Sequence, residues 1–231
     1  MSLLLEGLGR ALTLLLSGDP DVWASLWLSL EVSASATVIA LLLGVPAGAA
    51  LALARFPGRS LVVSGVNAGM GLPPVVVGLF VSILLWRSGP LGGLEILYTP
   101  VAIIVAQAVI AAPIVTGISL AAVQSVPASF RLQLYALGAS RAQMVRVVVR
   151  EARLPMLAAV MAGFGAVISE IGASLMVGGN IRGRTRTLTT AMVLETSKGN
   201  FESAIALAVL LLLLVFLANW ALTWIQQRRA A

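Results

Sequence analysis

Cysteine and histidine are both absent from this 231-residue chain, lysine occurs only at position 198, and charged side chains make up just 10% of it. Without thiols or imidazoles there is no Cys nucleophile, no disulfide, no His general base and no Cys or His metal ligand. A phosphate-binding loop of the Gly-Lys-Ser/Thr type needs its Lys after Gly and before Ser or Thr. Lys198 instead stands between Ser197 and Gly199, so the chain carries no such loop. What is plentiful is apolar surface: 59% of residues are hydrophobic and the mean hydropathy is +1.02. A soluble domain is roughly 45–50% apolar and about 25% charged. These proportions describe a membrane protein. In such a chain the excess of 15 Lys and Arg over 9 Asp and Glu reads as orientation in the bilayer, not as nucleic-acid binding.

Crossing a hydrocarbon core takes about 20 apolar residues in a helix. Four stretches free of charge meet that length, 32–54, 60–86, 96–130 and 203–227; a fifth, 154–181, is interrupted only by Glu170. The expectation is an all-α membrane protein with five transmembrane helices in a single domain over 1–231. No internal repeat is visible. Residues 1–18 differ. Leu4, Leu5, Leu8, Leu12, Leu15 and Leu16 fall on one helical face, with Glu6, Arg10 and Ser17 off it, the pattern of a helix lying in the interface. A secretory signal is the competing reading. Against it, no basic cluster precedes the apolar run and no small-x-small pattern precedes Asp19.

If the chain enters its first span from outside, nine arginines lie in cytoplasmic segments: 55, 59, 131, 141, 146, 150, 153, 228 and 229. The outer segments then hold Arg87, Arg182, Arg184, Arg186 and Lys198. The positive-inside bias favours this direction, with the N-terminus outside and the C-terminus cytoplasmic. Yet three outer charges crowd into Arg182-Gly183-Arg184-Thr185-Arg186, within an outer loop at 178–202. The guanidinium and hydroxyl donors of Arg182, Arg184, Thr185, Arg186 and Thr187 suit a tetrahedral oxyanion; they suit equally the acidic surface of a soluble partner. Only Glu31 and Glu170 offer ionisable groups within or beside the spans, which is thin for a proton relay. Active transport would therefore draw its energy from another subunit. Pro73 and Pro74 sit mid-span and each removes a backbone donor, so the helix must kink or unwind there. Glu170 would repel an anion as a bare carboxylate. It is expected to be structural or gating, paired or protonated, or to hydrogen-bond helix ends.

The cytoplasmic segment at 126–153 opens after Ser125 with Val126-Pro127, continues Leu134-Tyr135-Ala136-Leu137-Gly138-Ala139-Ser140-Arg141, and is followed by Leu154-Pro155. In these residues the chain resembles binding-protein-dependent ABC import permeases, whose short cytoplasmic helix docks into a cleft on the ATPase subunit. The family's Glu-Ala-Ala positions fall on Leu132, Gln133 and Leu134, so the acidic residue is missing. Gly138 and Pro155 are 17 residues apart, about one helical turn longer than the family's usual spacing. Two further stretches are similar to permeases of molybdate, sulfate and tungstate importers. They are Gly71-Leu72-Pro73-Pro74-Val75-Val76-Val77-Gly78-Leu79 and the run from Ser169-Glu170-Ile171-Gly172-Ala173 through Gly178-Gly179-Asn180-Ile181-Arg182-Gly183 to Thr185-Arg186-Thr187-Leu188-Thr189-Thr190. The second run is nearest in wording to the tungstate branch.

The resemblance implies a type I ABC importer permease fold in the cell (cytoplasmic or inner) membrane. It implies a homodimer with the path between two copies, two ATPase subunits, and an extracytoplasmic solute-binding protein delivering tungstate or a related oxyanion. Lipid surrounds the spans, and no cofactor or metal is implied. ATPase contact falls to Leu137, Gly138, Ala139, Ser140 and Arg141; the gate and translocation path fall to Pro73, Pro74, Val77, Gly78 and Glu170. Molybdate or sulfate transport stays open, as does an ATP-independent anion channel or carrier. A membrane assembly factor without transport is the third alternative.

Overall fold

The computed structural model describes residues 2–228, apart from the side chains of residues 2–5, 15, 225 and 228. Arg229 and the side chains of Leu4, Leu5, Leu15 and Arg228, used above for topology and amphipathicity, lie outside what is described. The chain is all-helical among the described residues. Its helices are α1 (Ser2–Leu16), α2 (Pro20–Leu53), α3 (Arg59–Met70), α4 (Pro74–Leu85), α5 (Pro100–Gln124), α6 (Ala128–Ala136), α7 (Arg141–Glu151), α8 (Arg153–Ile168), α9 (Gly172–Gly178), α10 (Leu188–Ser197) and α11 (Phe201–Arg228), with a 3-10 turn at Gly92–Leu94.

Helices α2, α5 and α11 are each long and apolar enough to cross a membrane. Two bent pairs, α3 with α4 and α7 with α8, bring the number of spans to five when each is taken as one. The stretch 154–181 is therefore two helices, α8 and α9, separated at residues 169–171. The first span also begins earlier than its charge-free stretch. The Asp19 carboxylate accepts from the amides of Asp21 (3.0 Å) and Val22 (3.1 Å), and Pro20 starts the helix where its missing N–H has no role. Glu31 consequently lies eleven residues into α2 and not at its start. A charge-free window locates the hydrocarbon, whereas caps decide where the helix stops.

The core forms where α2 crosses α5. Val32, Ala40, Ala106, Ala111 and Val115 are buried there, and small residues predominate because no water-driven force separates helix from lipid; close backbone approach has to supply the packing. At Gly48 a Cβ would stand 2.5 Å from the Thr116 carbonyl oxygen and 2.8 Å from the Leu120 nitrogen, so the two backbones touch. A second cluster, Val123, Met144, Val148 and Met156, anchors α7 beneath α5. Helix α1 packs along α11, burying Ala11 beside Leu207 and Leu210 while Leu8, Leu12 and Leu16 point away from the body. The small side of α1 thus meets protein and its leucine side is left exposed.

Candidate functional site

Two interruptions of the spans meet inside the bundle. Helix α3 ends at Met70, capped by Gly71, and α4 begins after Pro73, at 100° to it. Pro74 takes the first helical position, and the Pro73 carbonyl accepts the Val76 amide at 2.9 Å. Both prolines are exposed. Val77 and Gly78, within the next turn, are buried against α9. A Cβ on Gly78 would stand 2.6 Å from Ala173 Cα, and one on Gly172 would stand 2.5 Å from Val75 Cγ2. The prolines and glycines thus set α4 directly on α9.

Glu170 lies in the break before α9 and is 5% exposed. Its Oε1 accepts the Ala173 amide at 2.7 Å, and its Oε2 accepts both the amide and the hydroxyl of Ser174 at 2.9 Å. The first amides of a helix have no internal partner, and a carboxylate there also answers the helix dipole. The partners of Glu170 are the end of α9 and Ser174, not an arginine. Its own carbonyl accepts from Thr189 Oγ1 at 3.0 Å, tying the break to α10.

Sequence reasoning missed Gln107, which extends this network. It is 2% exposed in α5. Its Nε2 donates to the Val167 carbonyl (3.0 Å) and Ser174 Oγ (3.4 Å), and its Oε1 accepts from Ser33 Oγ (3.3 Å). One amide therefore joins α2, α5, the end of α8 and α9. The available signal was an amide placed well inside the longest charge-free stretch.

The arginine segment at 182–186 is folded on itself. Thr185 is fully buried; its hydroxyl donates to the Gly178 carbonyl at 2.6 Å and accepts the Ile181 amide at 2.9 Å. Thr187 caps α10, accepting the Thr190 amide at 3.3 Å while its own amide donates to Thr190 Oγ1 at 3.0 Å. Both hydroxyls expected on an outer rim are used internally. Arg186 donates to Asn180 Oδ1 at 3.2 Å, and Arg182 Nε donates to Asp21 Oδ1 at 3.0 Å within an ion pair. Arg184 is exposed and has no ion-pair or side-chain hydrogen-bond partner among the described residues. With Arg186, Trp27 and Glu31 it lines a cavity of about 220 Å³. At the far end of α10, Lys198 Nζ (2.7 Å) and Asn200 Nδ2 (2.9 Å) donate to Glu195 and hold its carboxyl below the ordinary value.

The remaining candidates form one turn. Gly138 has φ +82°; its amide donates to the Tyr135 carbonyl and that of Ala139 to the Leu134 carbonyl, both at 3.0 Å, closing α6 with a Schellman motif. Ser140 then caps α7 through a reciprocal box with Gln143, at 3.3 and 2.8 Å. Leu137 to Arg141 are thus the rigid apex between two helices. No residue of α6 is buried, and Leu132, Tyr135 and Leu137 are 69%, 47% and 84% exposed. Phe130 and Leu134 rest against the second cluster, so one side of α6 is packed on its own chain while Leu132 and Leu137 are left exposed.

Residues 40–231 match the family model described as "Binding-protein-dependent transport system inner membrane component". The chain is 46% identical over 196 residues to a probable anion ABC transporter permease protein of Haloferax volcanii, covering 83% of this chain and 84% of that one. It is 36% identical over 227 residues to the tungstate uptake system permease protein TupB of Peptoclostridium acidaminophilum, covering 98% and 100%. Among solved structures it is similar to the inward-facing MetNI methionine ABC transporter, with a TM-score of 0.75 at 23% identity over 91% of this chain and 98% of that one.

Proposed function

Since the chain belongs to the family of binding-protein-dependent transport system inner membrane components and has the type I ABC importer permease fold, we propose that it is the membrane-spanning subunit of an ATP-driven tungstate importer. The observation that carries the coupling to a separate ATPase is the α6 apex. Leu137 projects from a capped turn and is left exposed by its own chain, and Gly138 permits close backbone approach. A channel working alone would have no use for such a surface. Tungstate is favoured over molybdate and sulfate by the likeness to TupB along nearly the entire chain.

In this reading two copies pack around a common path, and the apolar outer face of α4, with Val76, Leu79, Phe80 and Ile83 exposed, faces the partner copy or lipid. The leucine side of α1 lies in the interface, the N-terminus is outside and the C-terminus cytoplasmic. Closure of two ATPases moves the Leu137–Arg141 turn, and α8 carries that motion to the Glu170 break and the α4–α9 contact. Arg184 docks the solute-binding protein. The oxyanion then passes between copies, with Pro73, Pro74, Val77, Gly78 and Glu170 shaping the gate.

The test is tungstate uptake by proteoliposomes containing this chain, its copurified ATPase and the cognate binding protein, with molybdate and sulfate as competitors. Uptake that requires ATP and all three components, and that resists sulfate, is the expected result. Entry of molybdate or sulfate in place of tungstate would keep the architecture and replace the substrate. Flux without ATP would make the chain a channel or carrier.

A further inference from the structure

A groove of about 1220 Å³ lies between the last turns of α2 and the face of α7, and Glu170 is not in its lining. Its walls are apolar over most of their length. Val45, Ala49 and Leu53, at steps of four along α2, look across at Val145 and Val149 of α7. Its rim is basic: Arg55 follows the end of α2, and Arg141 and Arg146 stand on α7. All three are exposed. None of them has an ion-pair partner among the described residues, and no Asp or Glu lines the cavity.

We propose that this groove binds one anionic phospholipid, with its phosphodiester between Arg55 and Arg146 and an acyl chain along the α2–α7 wall. Charge and shape select this occupant together. Arginine forks suit phosphate oxygens, and three unpaired guanidinium groups at one mouth leave the negative partner to come from outside the chain. A free phosphate would use the mouth and leave the apolar wall bare. A neutral lipid would fill the wall and leave the arginines unanswered. The site also reaches the α6–α7 turn, because Tyr135 and Arg141 belong to its lining. A seated lipid would brace that turn against α2.

The experiment is native mass spectrometry of the full-length chain released from detergent after exposure to phosphatidylglycerol, to phosphatidylcholine with the same acyl chains, or to inorganic phosphate. One retained phosphatidylglycerol per chain is expected. Its affinity should fall roughly thirtyfold in Arg55→Gln/Arg146→Gln, given the usual strength of an arginine at an anionic leaflet. The Arg55→Lys/Arg146→Lys variant should retain most of it, which controls for misfolding. Arg150→Gln, outside the lining, should bind as wild type. Equal retention of phosphatidylcholine, displacement by inorganic phosphate, unchanged binding in the double Gln variant, or an equal loss in Arg150→Gln would each overturn the proposal.

Discussion

Replacing Glu170 by Gln changes one atom and tests what the break between α8 and α9 rests on. The carboxylate accepts three hydrogen bonds, two of them from amides that have no partner inside α9. Gln keeps one acceptor for the Ala173 amide, as a weaker neutral bond, and turns its NH₂ toward the Ser174 amide. An orphaned buried donor costs about 1–3 kcal/mol, and exchanging a charge-assisted bond for a neutral one about 1 more. The expected loss is therefore about 3 kcal/mol. Glu170→Leu leaves both amides unanswered and should lose roughly 5 kcal/mol by the same reckoning. Reversible unfolding by a denaturing detergent, titrated against mixed micelles, measures both values. A Gln variant within about 1 kcal/mol of wild type would lie below the cost of one orphaned amide, and a Leu variant no worse than Gln would mean that the second amide costs nothing; either result would refute the capping argument. Uptake measured on the folded fraction adds a second arm. Wild-type rates there would assign the carboxylate to architecture, and a stable Gln variant that fails to transport would assign it to the gate.

Three further outcomes follow from the geometry. Gly48→Ala should destabilise the chain by roughly 1–3 kcal/mol, the usual cost of overpacking, because the added carbon meets the α5 backbone and not a movable side chain; thermal unfolding equal to wild type would show that α2 and α5 separate freely. Gly138→Val forces a β-branched residue to φ +82° and should abolish copurification of the ATPase, whereas retained stoichiometric, transport-coupled hydrolysis would remove the turn from the interface. Glu195 is the pH probe: its folded-state carboxyl is held down by Lys198 and Asn200, so its contribution is complete above the ordinary carboxylate range and is lost as pH falls through the lowered value. The unfolding free energies of wild type and Glu195→Gln should differ by less than about 1 kcal/mol at neutral pH and converge only once pH falls below the lowered value; a gap that widens on acidification would reverse the sign.

Sequence reading reached the α6–α7 turn through the family resemblance, yet its determinants are local. A Gly between Leu137 and Ala139, followed by Ser140 and Gln143, specifies a left-handed stop and a capped restart wherever the segment sits. The threonines of the 182–187 segment show the limit of such local reading. Thr185 and Thr187 carry the donors that an anion needs, but the same donors satisfy a tight loop, and composition does not separate the two uses. Gly44 and Gly48 have the spacing that often marks contact between two chains in a membrane. Here they receive α5 of their own chain, with a Cβ on Gly44 falling 2.8 Å from Val115 Cγ1.

By itself, then, the sequence determined the solvent in which this chain folds, the positions of its apolar stretches, the mid-span breaks at Pro73–Pro74 and the family wording of its loops. These depend on transfer of apolar surface, on missing backbone donors and on local turn chemistry, all of which act along the chain. Only the tertiary structure decided that the two breaks pack together through α4 and α9, that Glu170 caps α9 without an arginine, and that Gln107 joins four helices. The first depends on glycines that let two helices touch, and the other two on which buried donor finds which acceptor, a pairing that joins Ser33 and Gln107 across 74 positions.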